Sequence, residues 1–145
     1  MRHTTLFALF LFLLSASLYY GCENCNCYCS GHDVEELLLN DTLDLKYSTS
    51  YCNPEYELTL SFDSINDSRC PIGAICVWEG NASVKLFIKQ EGESDATFTL
   101  NTFNRFLTDT IVNGLRFELV EVLPYPMVDK EYQLDDYILQ LHISD

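Results

Sequence analysis

Basic side chains are scarce in this chain: 8 Lys and Arg stand against 22 Asp and Glu in 145 residues, a formal net charge of −14. Nucleic-acid binding draws on clustered Lys and Arg that displace counterions from phosphates, so the composition argues against that class of partner. Histidine is scarcer still. Of the three, His3 lies in an apolar N-terminal stretch, which leaves His32 and His142, and their spacing suggests no Cys/His or Ser/His/acid arrangement. Six glycines are too few for a phosphate-cradling loop, and no P-loop or metalloprotease signature is present. The chain also lacks an apolar run of the ~20 residues that a spanning helix requires. No stretch of about three turns carries a helical stripe.

What is present begins with an export signal. Met1-Arg2-His3 is a short basic start, and the apolar run from Leu6 to Leu18 is interrupted only by Ser15 and Ser17, the pattern of a cleaved signal peptide. It is followed by Leu18-Tyr19-Tyr20-Gly21-Cys22, which resembles the lipobox of bacterial lipoproteins. Leu18 stands four residues before the cysteine instead of three, and Tyr19 and Tyr20 fill the places between. Cleavage after Ser15-Ala16-Ser17 is the alternative, and it would leave Cys22 as an ordinary cysteine. Lipidation of Cys22, with palmitate-class acyl chains contributing about 0.8 kcal/mol per buried CH₂, would hold the protein to a bilayer without a spanning helix. The expected organisation is a lipoprotein signal peptide over 1–21, a Cys-rich tether over 22–33 and a folded domain over 34–145.

Seven cysteines minus an acylated Cys22 leave six, an even number in an exported chain where disulfides persist. Cys70 and Cys76 enclose Pro71 and Gly73 and are the easiest pair to close, for about 2.4 kcal/mol of chain entropy. In the tether, Cys25, Cys27 and Cys29 with His32 have a spacing that would suit soft metal ions such as Zn²⁺ or Cu⁺. An oxidising compartment favours disulfides over thiolate ligands, so the expectation is no metal and no cofactor, with one of the three reaching Cys52.

From about Val34 the apolar period is two. Tyr56-Leu58-Leu60-Phe62, Ala82-Val84-Leu86-Ile88, Ala96-Phe98-Leu100, Leu115-Phe117-Leu119 and Tyr137-Leu139-Leu141-Ile143 each alternate with more polar neighbours. Asn113-Gly114 is a strong hairpin dipeptide. One or two further edge strands are expected between Glu35 and Tyr47, around Asn40-Asp41. Together these predict an all-β, disulfide-stapled, antiparallel β-sandwich of the immunoglobulin-like kind. The connections over Thr102 to Thr110 and Pro124 to Tyr132 are long, the kind of segment in which a binding site lies.

The stretch Asn66-Asp67-Ser68-Arg69-Cys70-Pro71, followed by Cys76-Val77-Trp78-Glu79-Gly80-Asn81-Ala82-Ser83-Val84, then Pro124-Tyr125-Pro126 and Asp136-Tyr137-Ile138-Leu139, resembles a family of small uncharacterised lipoproteins of Bacteroidetes-type bacteria. The resemblance spans about Tyr56 to Ile143 and implies an exported β-sandwich lipoprotein with no established activity. Physically, the same residues describe a stapled loop with Trp78 as its packed anchor, Gly80 as a positive-φ turn, and Asp67 and Arg69 paired with each other or with Glu79. They also offer a recognition surface made of Arg69, Trp78 and Tyr125, residue types that dominate binding hot spots.

No catalytic residues are expected. The acidic runs Glu35-Glu36, Glu55-Glu57, Glu91-Glu93-Asp95 and Asp135-Asp136 read as solvated strand ends and turns, with at most weak Ca²⁺ binding at the last two. The leading expectation is therefore a non-enzymatic lipoprotein of the outer membrane, periplasmic or surface-facing. Its partners would be the bilayer through Cys22 and an envelope protein or small ligand. The alternatives are an envelope enzyme acting on glycans or peptides, and a protease-inhibitor-like module presenting the Cys70 to Cys76 loop.

Overall fold

The computed structural model describes Cys29 and residues 34–145. The expected signal peptide, the acylation expected at Cys22, and Cys25, Cys27 and His32 of the expected tether lie outside the described residues. Nine strands follow one another: β1 (Val34–Glu36), β2 (Asp41–Lys46), β3 (Ser50–Asn53), β4 (Leu58–Asp67), β5 (Ala82–Gln90), β6 (Ala96–Asn101), β7 (Asp109–Val112), β8 (Leu115–Leu123) and β9 (Ile138–Ser144). They form two sheets, ordered β1-β3-β4-β5-β6 and β2-β9-β8-β7. Among the described residues there is no α-helix, and no helix long and apolar enough to cross a membrane.

The period of two explains which side chains turn inward. β5 buries Ala82, Val84, Leu86 and Ile88 and exposes Lys85 and Lys89, because successive side chains of a strand point to opposite faces. Tyr51, Leu58, Leu60, Val84, Leu86 and Leu100 of the first sheet join Leu45, Phe117, Leu139, Leu141 and Ile143 of the second in one hydrophobic core. Each side chain of this size contributes about 1.5–3 kcal/mol by leaving water. At Asn113 and Gly114, φ values of 51° and 82° make the two-residue turn that matches the twist of the β7–β8 pair.

The structure departs from the strand pattern in three places. β3 was not anticipated, because Tyr51, Cys52 and Asn53 are all buried and leave no alternation to read. Pairing is not wholly antiparallel: β1 runs parallel to β3, with Val34 opposite Ser50. The intervening β2 belongs to the other sheet, so the chain crosses over and returns in the same direction. β7 occupies the end of what the sequence presents as a long connection after Thr102.

The connections over 68–81, 102–108 and 124–137 emerge at one end of the strands, beyond the pairs Asp67/Ala82, Ser83/Asn101 and Leu123/Ile138. A disulfide joins Cys29 to Cys52, with Cα atoms 5.7 Å apart. Cys52 pairs with Thr59 near the start of β4, towards the opposite end. The second disulfide joins Cys70 to Cys76, Cα atoms 6.0 Å apart, as their spacing predicts.

Candidate functional site

Two β-bulges prepare the loop end. In β4, Phe62 pairs with Leu86 and Ser64 with Lys85, so Asp63 is an extra residue, and the inward set changes from Leu58, Leu60 and Phe62 to Ile65 and Asp67. In β8 the same shift at Val120 carries the inward positions from Leu119 to Val122. The first bulge turns a carboxylate inward, and the second sets the backbone it will be tied to.

Arg69 makes that tie. Its Nε and Nη2 donate to the two carboxylate oxygens of Asp67 at 2.9 and 2.7 Å, and its backbone N–H donates to Oδ1 at 3.1 Å. Nη1 donates to the Val122 carbonyl at 2.6 Å and Nη2 to the Pro124 carbonyl at 2.9 Å, both on the other sheet or its continuation. The Tyr125 ring covers the guanidinium, its centroid 4.8 Å from Cζ. The Tyr137 hydroxyl donates to Asp67 at 3.3 Å, and burial together with that carboxylate raises the phenol above its ordinary value of 10.0. The Asp67 and Arg69 side chains are 5% and 6% exposed. A buried ion pair repays its desolvation only when the remaining polar groups are also bonded, and here both Asp67 oxygens and four of the five guanidinium N–H groups are.

The stapled loop is built on this clamp. Ser68 N–H donates to the Asn81 carbonyl and Cys70 N–H to the Glu79 carbonyl, both at 2.8 Å, which continues the β4–β5 ladder past the strand ends. Gly80 has φ +79°, and a Cβ there would lie 2.1 Å from the Ser68 carbonyl oxygen, so no other residue fits. Ile72 donates to the Pro126 carbonyl and accepts from Val128 N–H, pinning the loop to the segment after Pro124. The buried Asn81 amide holds the third loop: it donates to Asn101 Oδ1 at 2.9 Å and accepts from Phe103 N–H at 3.0 Å.

These three loops carry an apolar surface. Among the described residues, nine of the thirteen exposed large apolar side chains belong to them: Ile72, Ile75, Val77 and Trp78, then Phe106 and Leu107, then Tyr125, Met127 and Val128. That concentration is more than the scattered exposure ordinary for a surface. Trp78 meets Phe103 edge-on at 5.7 Å, and Phe103 meets Phe106 at 5.8 Å. Between the loops lies a cleft of about 350 Å³, walled by Phe103, Tyr125, Val120 and Gly80 over Arg69, with Glu79 and Glu121 also lining it.

Of the candidate surface residues, Tyr125 is in part exposed and Trp78 is 53% exposed. Trp78 is thus not the packed anchor of the loop. Arg69 is a correction of the other kind: it is buried, and four of its five guanidinium N–H groups are spent on Asp67, Val122 and Pro124, so it supports the surface without belonging to it. It pairs with Asp67, not with Glu79. His142 lies on β9, between β2 and β8, and so is not at a sheet edge. Cys29 is taken by its disulfide, which removes the third sulfur of the metal-ligand spacing in the tether. Asp136 accepts from Gln133 N–H, a turn-capping role. Among the described residues no group of three or more His, Cys, Asp or Glu is arranged to hold a metal ion.

Phe103, Glu121 and Val120 are cleft residues that the sequence left unmarked. The signal for the first was the run Phe103-Asn104-Arg105-Phe106-Leu107, too apolar for a plain connection. Val120 already alternates outward with Arg116 and Glu118, and the bulge turns Glu121 out beside it. Comparison with protein-family models, with curated proteins and with solved structures finds no match.

Proposed function

We propose that this protein is an exported, non-enzymatic binding protein of the cell envelope, held to the outer membrane by acylation at Cys22, with its loop end as the recognition surface. The two sheets sharing one core support the reading of the body as a β-sandwich. The immunoglobulin-like comparison extends to layer number and not to strand order, since four consecutive strands, β3 to β6, lie side by side in one sheet. The resemblance to small Bacteroidetes-type lipoproteins and the Leu18 to Cys22 sequence support the anchor.

One observation carries the binding role: nine exposed large apolar side chains are gathered on three loops that a disulfide, a glycine turn and a buried ion pair hold rigid. A preorganised surface loses little entropy on association. The test is a photo-reactive side chain placed at Ile75, and separately at Ile111 of β7, in cells producing the full chain. A discrete adduct at Ile75 that is absent at Ile111 is expected. Trp78→Ala, which removes one edge-on ring contact, should abolish it while the protein stays folded; no adduct at Ile75, or equal adducts at both sites, would sink the proposal.

A second reading draws on the same loop. Ile75 is fully exposed on the stretch between Cys70 and Cys76, the presentation a protease-inhibitor-like module uses. Inhibition of a serine or cysteine protease that is lost in Ile75→Asp would favour it.

A further inference from the structure

Resting on the reading of the loop end as a binding surface, we infer that its cleft accepts a Lys or Arg side chain presented by an apolar segment of a partner polypeptide. Glu79 and Glu121 supply the counter-charges, and Phe103 and Tyr125 supply the walls.

The charges come first. Glu79 and Glu121 both line the cleft, and neither carboxylate has a hydrogen bond or ion pair among the described residues. Arg69 is the only cation in the lining, its charge is paired with Asp67, and four of its five guanidinium N–H groups are taken by Asp67, Val122 and Pro124. The cleft thus carries two uncompensated negative charges beside low-dielectric walls, which concentrates their field on whatever enters. The overall net charge of −14 adds attraction of the same sign from a distance.

The walls point the same way. The face of an aromatic ring attracts ammonium and guanidinium groups, by ~0.5–2 kcal/mol depending on desolvation. This end of the molecule already shows that chemistry twice, with Arg69 over Tyr125 at 4.8 Å and the Arg105 guanidinium 6.0 Å from the Phe103 ring. Arg105 stands outside the lining and is exposed, so it is the intramolecular rival a stronger cation would displace. Trp78 and Phe106 meet Phe103 of the cleft wall, and Ile75 and Met127 are exposed on the loops that carry Glu79 and Tyr125, apolar surroundings that select a cation flanked by apolar residues over a free amine.

Other occupants fit less well. The tether over 22–33 contains no Lys or Arg, so the chain does not supply the cation from there. A second copy brings the same net charge of −14 and is repelled. Anionic lipid headgroups are repelled likewise. Cys29 is fixed to Cys52, opposite Thr59, while the cleft begins past Asp67, eight residues further along β4. At ~3.3 Å per residue the tether is attached roughly 25 Å from the cleft, which suits a surface turned away from the bilayer.

The experiment uses the purified full chain and synthetic nonamer libraries whose central residue is Lys, Arg, norleucine or Glu, with randomised apolar flanks. Binding is read by fluorescence anisotropy at low and high salt. The Lys and Arg libraries should bind at least about tenfold more tightly than norleucine, with Glu weakest, and the advantage should shrink with salt. Glu79→Gln/Glu121→Gln should erase the advantage without lowering the melting temperature, since neither carboxylate is bonded in the fold. Equal binding of the basic and norleucine libraries, or an advantage that survives the double substitution, overturns the cation site. If binding then still falls in Trp78→Ala, the surface stands and only its charge selectivity fails. If no library responds to Trp78→Ala or Ile75→Ser, the binding-surface reading fails as well. Association with phosphatidylcholine vesicles that depends on Ile75 and Val77 would replace the polypeptide by a lipid surface.

Discussion

The guanidinium of Arg69 is bound to the carboxylate of Asp67, two residues earlier in the chain, while other donors of it reach the carbonyls of Val122 on the opposing sheet and of Pro124 just beyond that strand. A local pair thereby becomes a fastener between the two layers at the end where the three loops gather.

Removing one charge should therefore cost the pair and also leave its partner buried alone. Asp67→Leu leaves a buried guanidinium unpaired, and Arg69→Met leaves a buried carboxylate, each expected to cost about 3–5 kcal/mol in urea unfolding. The double variant should lose clearly less than the sum, because no orphan charge remains. Strict additivity would mean that the two groups are solvated rather than buried.

Two glycines with nearly the same backbone should respond differently to alanine. Gly114 has φ +82° and open space where a Cβ would go, so Gly114→Ala should cost only the ~1–2 kcal/mol of a left-handed residue. Gly80 has φ +79°, but its Cβ would collide with the Ser68 carbonyl and displace the ladder below the stapled loop. Thermal melts should show a shift of several degrees for the first and a loss of more than about 4 kcal/mol for the second.

The disulfides should contribute unequally. Cys29 and Cys52 are 23 residues apart and Cys70 and Cys76 only 6. Chain entropy gives about 3.4 kcal/mol for the longer loop and about 2.4 for the shorter. Cys29→Ser/Cys52→Ala should be the less stable double variant in guanidinium unfolding, all the more because Cys52 is buried. Peptide mapping without reduction should recover both pairs.

Alkaline pH should unfold the protein in a defined window. Tyr51 and Tyr137 are raised above 10.0, first by burial and then by Glu35 and Asp44 for Tyr51 and by Asp67 for Tyr137. A raised phenol keeps its proton longer in the folded state, so its stabilisation is complete below pH 10 and declines as pH rises through the folded value. Absorbance titration should show these two phenols ionising only together with loss of the far-ultraviolet β signal. Tyr51→Phe should push the onset of unfolding to higher pH, while costing the bonds its hydroxyl makes with Lys46 N–H and the Asp44 carbonyl.

Alternation along Ala82 to Ile88 and along Leu139 to Ile143, the Asn113-Gly114 turn and the close spacing of Cys70 and Cys76 were all legible in the sequence, because each depends on neighbours a few residues away. β3 was not, since a strand buried on both faces has no period. Nor were the bulges at Asp63 and Val120: an extra residue reverses which parity faces inward, and nothing in the local pattern of Leu119-Val120-Glu121-Val122 announces where the reversal falls. The site depends on those reversals. They turn Asp67 inward and bring Glu121 out beside Val120 at the cleft.

By itself, then, the sequence determined the alternating strands, the turn and the short staple, which are local consequences of side-chain period and spacing. Only the tertiary structure decided that Arg69 is a buried cross-sheet tie, that Trp78 is a surface residue, and that Glu79 and Glu121 share one cleft. Those outcomes belong to residues tens of positions apart, and they are set by how two sheets pack, a relation that no local pattern encodes.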